Sequence, residues 1–251
     1  MELADIRGKY NAEHDDHATQ GTYPPGSTFK LITLLEYIRE NPDTWQDFHY
    51  TCTGTYTNGD YVVNCHDGVA HGELDIYGIL GMSCNGAFDT IAQTLNSTKW
   101  QKLAEDFGYN QSDRSQVDFP YKKSHFDIAS DDSVWSRMQL AIGQGTTTVT
   151  PLLNLMIYAA IANDGVMMTP YLVDHYLDAD GNVVEQTKPK ALRSVCTKAE
   201  AELMDEFLTY VITNGTAAAG GSQYARVSGK TGSAQYDSTK LSCMVLWLWN
   251  K

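Results

Sequence analysis

The chain has 251 residues, 42% hydrophobic and 20% charged. That suits one globular domain burying about three-quarters of its unfolded surface, which excludes a disordered or fibrous protein. Its 18 Lys and Arg against 31 Asp and Glu give a formal charge of −13, leaving no basic face for the phosphate contacts that a nucleic-acid partner requires. The longest apolar run, Leu152 to Ala162, is interrupted by Asn154 and falls short of the about 20 apolar residues that cross a bilayer. The opening Met1-Glu2-Leu3-Ala4-Asp5 has neither the basic nor the apolar region of a secretory signal, so the chain as given carries no export address.

In chain order, residues 1–21 read as a polar lead-in, with order expected from Thr22. Pro24-Pro25-Gly26 makes a rigid turn, Ser27 can serve as N-cap or first-turn residue, and Phe29, Leu31, Ile32, Leu34, Leu35 and Ile38 keep helical spacing. Pro42 stops that helix. Tyr50 to Gly72, with Asn58-Gly59, reads as a hairpin and loops. Helices are predicted over 75–80, 85–95 and 98–107, and residues 108–135 read as polar turns. Gly143-Gln144-Gly145 precedes an apolar helix from Pro151 to Ala162, ended by Asn163-Asp164-Gly165. A hairpin around Asp180-Gly181, an amphipathic helix over 198–213 and a strand over 225–234 follow. The expected class is α+β, with helices packed on a sheet.

Three triplets carry chemistry. Ser27-Thr28-Phe29-Lys30 sets a hydroxyl and an amine one helical turn apart, near backbone amides that favour developing negative charge. For Lys30 to act as base its pKa must fall from about 10.4 to near 7, about 4 kcal/mol of differential stabilisation. Ser83-Cys84-Asn85 offers a second hydroxyl and an amide. Lys230-Thr231-Gly232 lies on the last predicted strand, where glycine lets a peptide approach as an added strand. Five cysteines, at 52, 65, 84, 196 and 243, are too few for a disulfide scaffold. Cys52, Cys65, His66 and His71 could offer zinc two thiolates and two imidazoles. Neither C-x-x-C nor H-x-x-x-H is present, so no metal site is assigned and the expectation is a loop pair, a disulfide if the domain lies outside the cytoplasm.

Taken together, TYPPGSTFK at 22–30, SCN at 83–85 and KTGSA at 230–234, with IGQGTTTVTPL at 142–152 and IANDG at 161–165, resemble penicillin-binding transpeptidase domains over most of the chain. The resemblance implies a β-lactamase/transpeptidase-like fold, an antiparallel sheet flanked by helices with a helical subdomain. It implies acyl transfer between peptidoglycan stem peptides, with β-lactam antibiotics acylating the same serine and no cofactor required. Ser27 would be the nucleophile, Lys30 its base and Ser83 a proton relay, while Asn85 orients Lys30 and the substrate amide. Lys230 and Thr231 would hold the substrate carboxylate, Gly232 would leave room for its backbone, and the amides of Ser27 and Ser233 would form the oxyanion hole. The parent would be membrane-anchored, with cell-wall synthesis partners and this domain outside the cytoplasm.

A β-lactam sensor is the alternative; a lactamase is disfavoured. No Glu occurs between Glu105 and Glu185 to activate a deacylating water, and 147 positions separate Ser83 from Lys230. The text after the third triplet departs from the resemblance, which implies a strand like His-Ala-Trp-Phe-x-Gly-Tyr. Reverse translation of Cys243 to Trp249, read one base later, places Trp and Gly at that spacing. The domain is therefore read as incomplete over 22–240, with 241–251 a frameshifted tail that leaves Lys230 to Ser233 near a poorly covered sheet edge.

Overall fold

The computed structural model describes residues 16–111, 117, 119–129 and 132–235, together with the backbone of 241–249. Most of the expected lead-in, 1–15, lies outside the described residues. Order begins earlier than Thr22: the carbonyl of Ala18 accepts from Leu152 N and that of Thr19 from Lys122 N, so these residues are already tied to the domain.

The first helix, α1 (Lys30–Glu40), follows a 3-10 turn at Gly26–Thr28. It is buried on nearly every side, from Leu31 and Ile32 through Leu34, Leu35 and Ile38. Each such apolar side chain contributes about 2–3 kcal/mol relative to exposure. Asn41 closes the helix by donating its side-chain amide to Tyr37 O at 2.8 Å, and Pro42 follows. Phe29, at its entry, anchors an aromatic cluster, stacked on Phe126 at 4.9 Å and edge-on to Tyr109 at 5.5 Å.

Strand β1 (His49–Cys52) pairs antiparallel with β4 (Gly72–Asp75), and between them β2 (Thr55–Asn58) and β3 (Tyr61–Asn64) form the hairpin that Asn58-Gly59 predicted. Three short helices follow: α2 (Ile76–Gly81), α3 (Asn85–Thr94) and α4 (Ser97–Asp106). Asp75 caps α2 by accepting from Gly78 N at 2.7 Å, and Asn96 caps α4 by accepting from Lys99 N.

Helix α5 (Val134–Ala141) was not predicted; it starts at the end of the stretch expected to be polar turns, 108–135, and runs beyond it. Its stability is tertiary: Arg137 donates to the carbonyls of Ala92 and Leu95 and to Ser97 Oγ, closing the end of α3 and the start of α4. Helix α6 (Pro151–Ala162) starts where Thr150 accepts from Leu153 N, with Pro151 in its first turn. Strands β5 (Val166–Met168) and β8 (Ala191–Ser194) pair, and β6 (His175–Leu177) pairs with β7 (Val183–Gln186) around Asp180-Gly181. Helix α7 (Lys198–Asn214) opens on a full capping box between Thr197 and Glu200.

The last helix packs on β9 (Val227–Gln235) and, through Phe207 stacked on Tyr77 at 4.3 Å, on α2. The edge of β9 is not left open. Strand β10 (Leu241–Trp249) pairs with it antiparallel, from Leu241 opposite Gln235 to Trp249 opposite Val227. The class is α+β as expected, although the described strands pair as five two-stranded ladders rather than one wide sheet. No described helix is long and apolar enough to cross a membrane.

Candidate active site

The turn carrying Ser27 is set by two glycines. Gly26 has φ +57° and donates its N–H to Gly143 O at 2.9 Å. Gly143 has φ +69°, and a Cβ there would lie 2.2 Å from Gly26 O. On the other side a Cβ on Gly26 would meet Ser233 O at 2.5 Å. Three separate backbones thus meet at distances only glycine permits. Ser27 is not an N-cap: it lies inside the 3-10 turn, half-buried, and Phe29 occupies the cap of α1.

Lys30, the first residue of α1, is completely buried. Its Nζ donates to Ser83 O at 2.7 Å and Asn85 Oδ1 at 2.6 Å, and lies 3.3 Å from Ser83 Oγ. The direct Lys30 to Ser27 bond suggested by the i, i+3 spacing is not among the described hydrogen bonds; the amine turns toward the second triplet. Ser83 occupies left-handed backbone, φ +54°, between α2 and α3. Asn85 begins α3 and donates its amide to Asn64 O at 2.8 Å, leaving its Oδ1 for Lys30. Lys230, also fully buried, reaches Ser83 Oγ at 2.9 Å from β9 and bonds Thr231 O at 3.0 Å. One hydroxyl therefore stands between two buried amines.

Burial pushes the Lys30 amine down to about 8, against the opposing pull of Cys84, Asp89 and Cys65. Lys230 is pushed well below the usual lysine range, first by burial and then by the Lys30 charge. Asp89, on α3, is a residue the sequence did not single out. Neither carboxyl oxygen has a hydrogen-bond partner among the described residues, and burial raises it to about 8 despite Lys30. Asp89 is thus held protonated near neutral pH, and charge on Lys30 is weakly balanced.

Ser27, Ser83, Asn85, Thr231 and Ser233 line one cleft of about 680 Å³. Thr231 Oγ1 is 2.7 Å from the hydroxyl of Thr216, a second residue missed because it belongs to no motif. Gly232 is buried within β9, opposite Met244 of β10. The three triplets, the second and third of them 147 positions apart, therefore meet in one place, with hydrogen bonds joining Lys30, Ser83, Asn85 and Lys230.

Cys52 and Cys65 meet as the expected loop pair, but not as a disulfide. Cys52 and Cys65 are both free thiols, with sulfurs 3.6 Å apart, so no disulfide joins them. His66 points away, its side chain 79% exposed beside Asp67.

The glycine-set turn of Ser27, a buried lysine pair and a shared serine hydroxyl agree with the comparison to known families, in which the penicillin binding protein transpeptidase domain matches residues 5–248. The chain belongs to this family. Among relatives, stage V sporulation protein D of Bacillus subtilis is 27% identical over 215 residues, covering 85% of this chain and 33% of that protein. Peptidoglycan D,D-transpeptidase PbpA of Mycolicibacterium smegmatis is 26% identical over 225 residues, covering 88% and 45%. The chain thus spans less than half the length of these relatives. Among solved structures, the D,D-transpeptidase domain of a peptidoglycan glycosyltransferase from Eggerthella lenta superposes with a TM-score of 0.83 at 28% identity, over 98% of this chain and 63% of that one. Penicillin-binding protein A from M. tuberculosis, as its imipenem acyl-enzyme, shares the fold with a TM-score of 0.83 at 22% identity, over 98% and 57%.

Proposed function

We propose that this domain is a serine D,D-transpeptidase of peptidoglycan synthesis. Its substrates are stem peptides ending in D-Ala-D-Ala, and β-lactam antibiotics acylate it. The observation that carries this is the chain of contacts from Lys30 through Ser83 Oγ to Lys230, with Ser83 lining the same cleft as Ser27.

Ser27 Oγ attacks the carbonyl of the penultimate D-alanine, and Lys30, in its neutral form, takes the hydroxyl proton. The oxyanion rests on the backbone amides of Ser27 and Ser233, donors worth about 3–4 kcal/mol each in comparable enzymes. Ser83 passes a proton to the departing D-alanine, and its position between two amines lets it gain one as it gives one. Asn85 holds Lys30 and the substrate amide, Thr231 and Lys230 take the terminal carboxylate, and Gly232 leaves room for the peptide backbone. An amine from a second stem peptide then displaces Ser27 and completes the cross-link. The parent protein is anchored at the membrane, with this domain outside the cytoplasm and cell-wall synthesis proteins as partners.

Intact mass after exposure to penicillin tests the nucleophile. The wild-type chain should gain one penicillin mass and Ser27→Ala none; folded wild-type protein without an adduct would remove Ser27 from the role. Release of D-alanine from a stem-peptide analogue separates the enzyme from a sensor, which acylates without turnover.

A further inference from the structure

Beside the cleft, four buried or half-buried side chains converge from four segments: Cys52 at the end of β1, Cys65 after β3, His71 before β4, and Cys84 at the centre of the second triplet. All their ligand atoms lie within 4.8 Å of one another. Cys52 Sγ is 3.6 Å from Cys65 Sγ and 3.4 Å from His71 Nδ1, and Cys65 Sγ is 3.8 Å from Cys84 Sγ. A tetrahedral zinc ion with Zn–S near 2.3 Å and Zn–N near 2.05 Å sets sulfurs about 3.8 Å apart and sulfur and nitrogen about 3.6 Å apart. These three spacings match that figure, and the sulfurs are too far apart for disulfides.

We propose that Cys52, Cys65, Cys84 and His71 form a structural zinc site that holds the Ser83-Cys84-Asn85 turn in its working position. Three thiolates and one imidazole suit zinc by softness and number, and four protein ligands close its coordination shell, leaving no place for a reacting water. Each thiol releases its proton to solvent as its sulfur takes the metal. The amides of Asn85, Gly86 and Ala87, at the start of α3, lie against the sulfurs of Cys65 and Cys84, as the outer shell of a thiolate site requires.

The placement gives the metal its task. Cys84 is flanked by Ser83, which sits in left-handed backbone, and by Asn85, which holds Lys30. The segments supplying the other ligands are short ladders at the edge of the core. A bond from Cys84 to a metal shared with these ladders fixes the turn that sequence-local forces do not. The four ligands are positioning residues; none is assigned contact with substrate. This last step, the link to acylation, rests on the proposed function above.

The test is the metal content of the purified full chain, with cobalt substitution as the spectroscopic probe. One zinc per folded chain is expected, and cobalt should give intense visible bands with sulfur-to-metal charge transfer. His71→Ala should lose the metal and His71→Cys should regain it as a tetrathiolate; Cys196→Ala, outside the cluster, should keep it. Removing zinc from wild-type protein with a chelator should slow labelling by fluorescent penicillin at least tenfold, and added zinc should restore it. Folded wild-type protein that retains no zinc, or a cobalt form without charge transfer, overturns the site. Labelling unchanged by demetallation overturns the positioning role. Ser27→Ala should hold zinc while taking no label, and a wild-type chain that holds zinc but takes no label would refute the acyl transfer and leave the metal site standing.

Discussion

At the scale of single residues, the balance is between burial and charge. Two lysines, 30 and 230, are both wholly buried and both touch Ser83 Oγ, and the Lys30 cation disfavours charge on Lys230. The cost of burying an amine is what makes one available as a base near neutral pH. With Lys30 lowered to about 8, the rate of penicillin acylation should rise about tenfold per pH unit below 8 and level off above it. A rate constant flat from about pH 6 to pH 9 would exclude Lys30 as the base. The linkage to stability has a definite sign. The folded pKa lies below the value of 10.5 expected when unfolded, so the unfolded chain binds more protons between the two. The Lys30 contribution to stability therefore increases as pH rises from about 8 to 10.5. The lysine was legible from its place in S-x-x-K; its depressed pKa was not, because that depends on the helices and strand that exclude water around it.

At the scale of elements, most helices and turns were readable because their signals are local. Pro42, the Thr150-Pro151 pair and the Thr197/Glu200 box mark ends through capping and φ preference alone. Helix α5 was not readable, since its anchor, Arg137, satisfies carbonyls of α3 and of the link to α4 more than 40 positions away. The glycine contact between residues 26 and 143 is of the same kind. Gly143→Ala would place a methyl 2.2 Å from Gly26 O at a φ of +69°, forcing the turn under Ser27 to move. It should reduce the rate of penicillin acylation by at least a hundredfold, with far-ultraviolet circular dichroism nearly unchanged, because the disturbance is confined to loop backbone. Acylation at the wild-type rate would show that the turn tolerates the shift.

At the scale of the whole molecule, β10 decides how the third triplet is presented. Its backbone pairs with β9 along the full length of both strands, so the edge of residues 230–233 that faces it is covered rather than poorly covered as expected. The side chains of 241–249 lie outside what the structure describes. We propose that the residues there are out of frame, because the text lacks the Trp and Gly pattern of the resembling strand and acquires it one base later. Sequencing the locus checks this: a one-base shift shortly after codon 232 is the expected result, and an unbroken frame through Lys251 rejects it. Backbone pairing alone is insensitive to which side chains the strand carries, which is how a strand can form over this segment in either case.

What the sequence by itself determined is the set of short-range decisions: where helices cap, where hairpins turn, and which three triplets hold hydroxyl, amine and amide groups in the order of a serine acyltransferase. Those depend on neighbours within a few residues. Only the tertiary structure decided that Lys30 and Lys230 share Ser83, that Asp89 is buried near Lys30, and that Cys84, rather than His66, joins Cys52, Cys65 and His71. Burial and ligand geometry are properties of groups brought together from distant positions, and no local spacing in the chain encodes them.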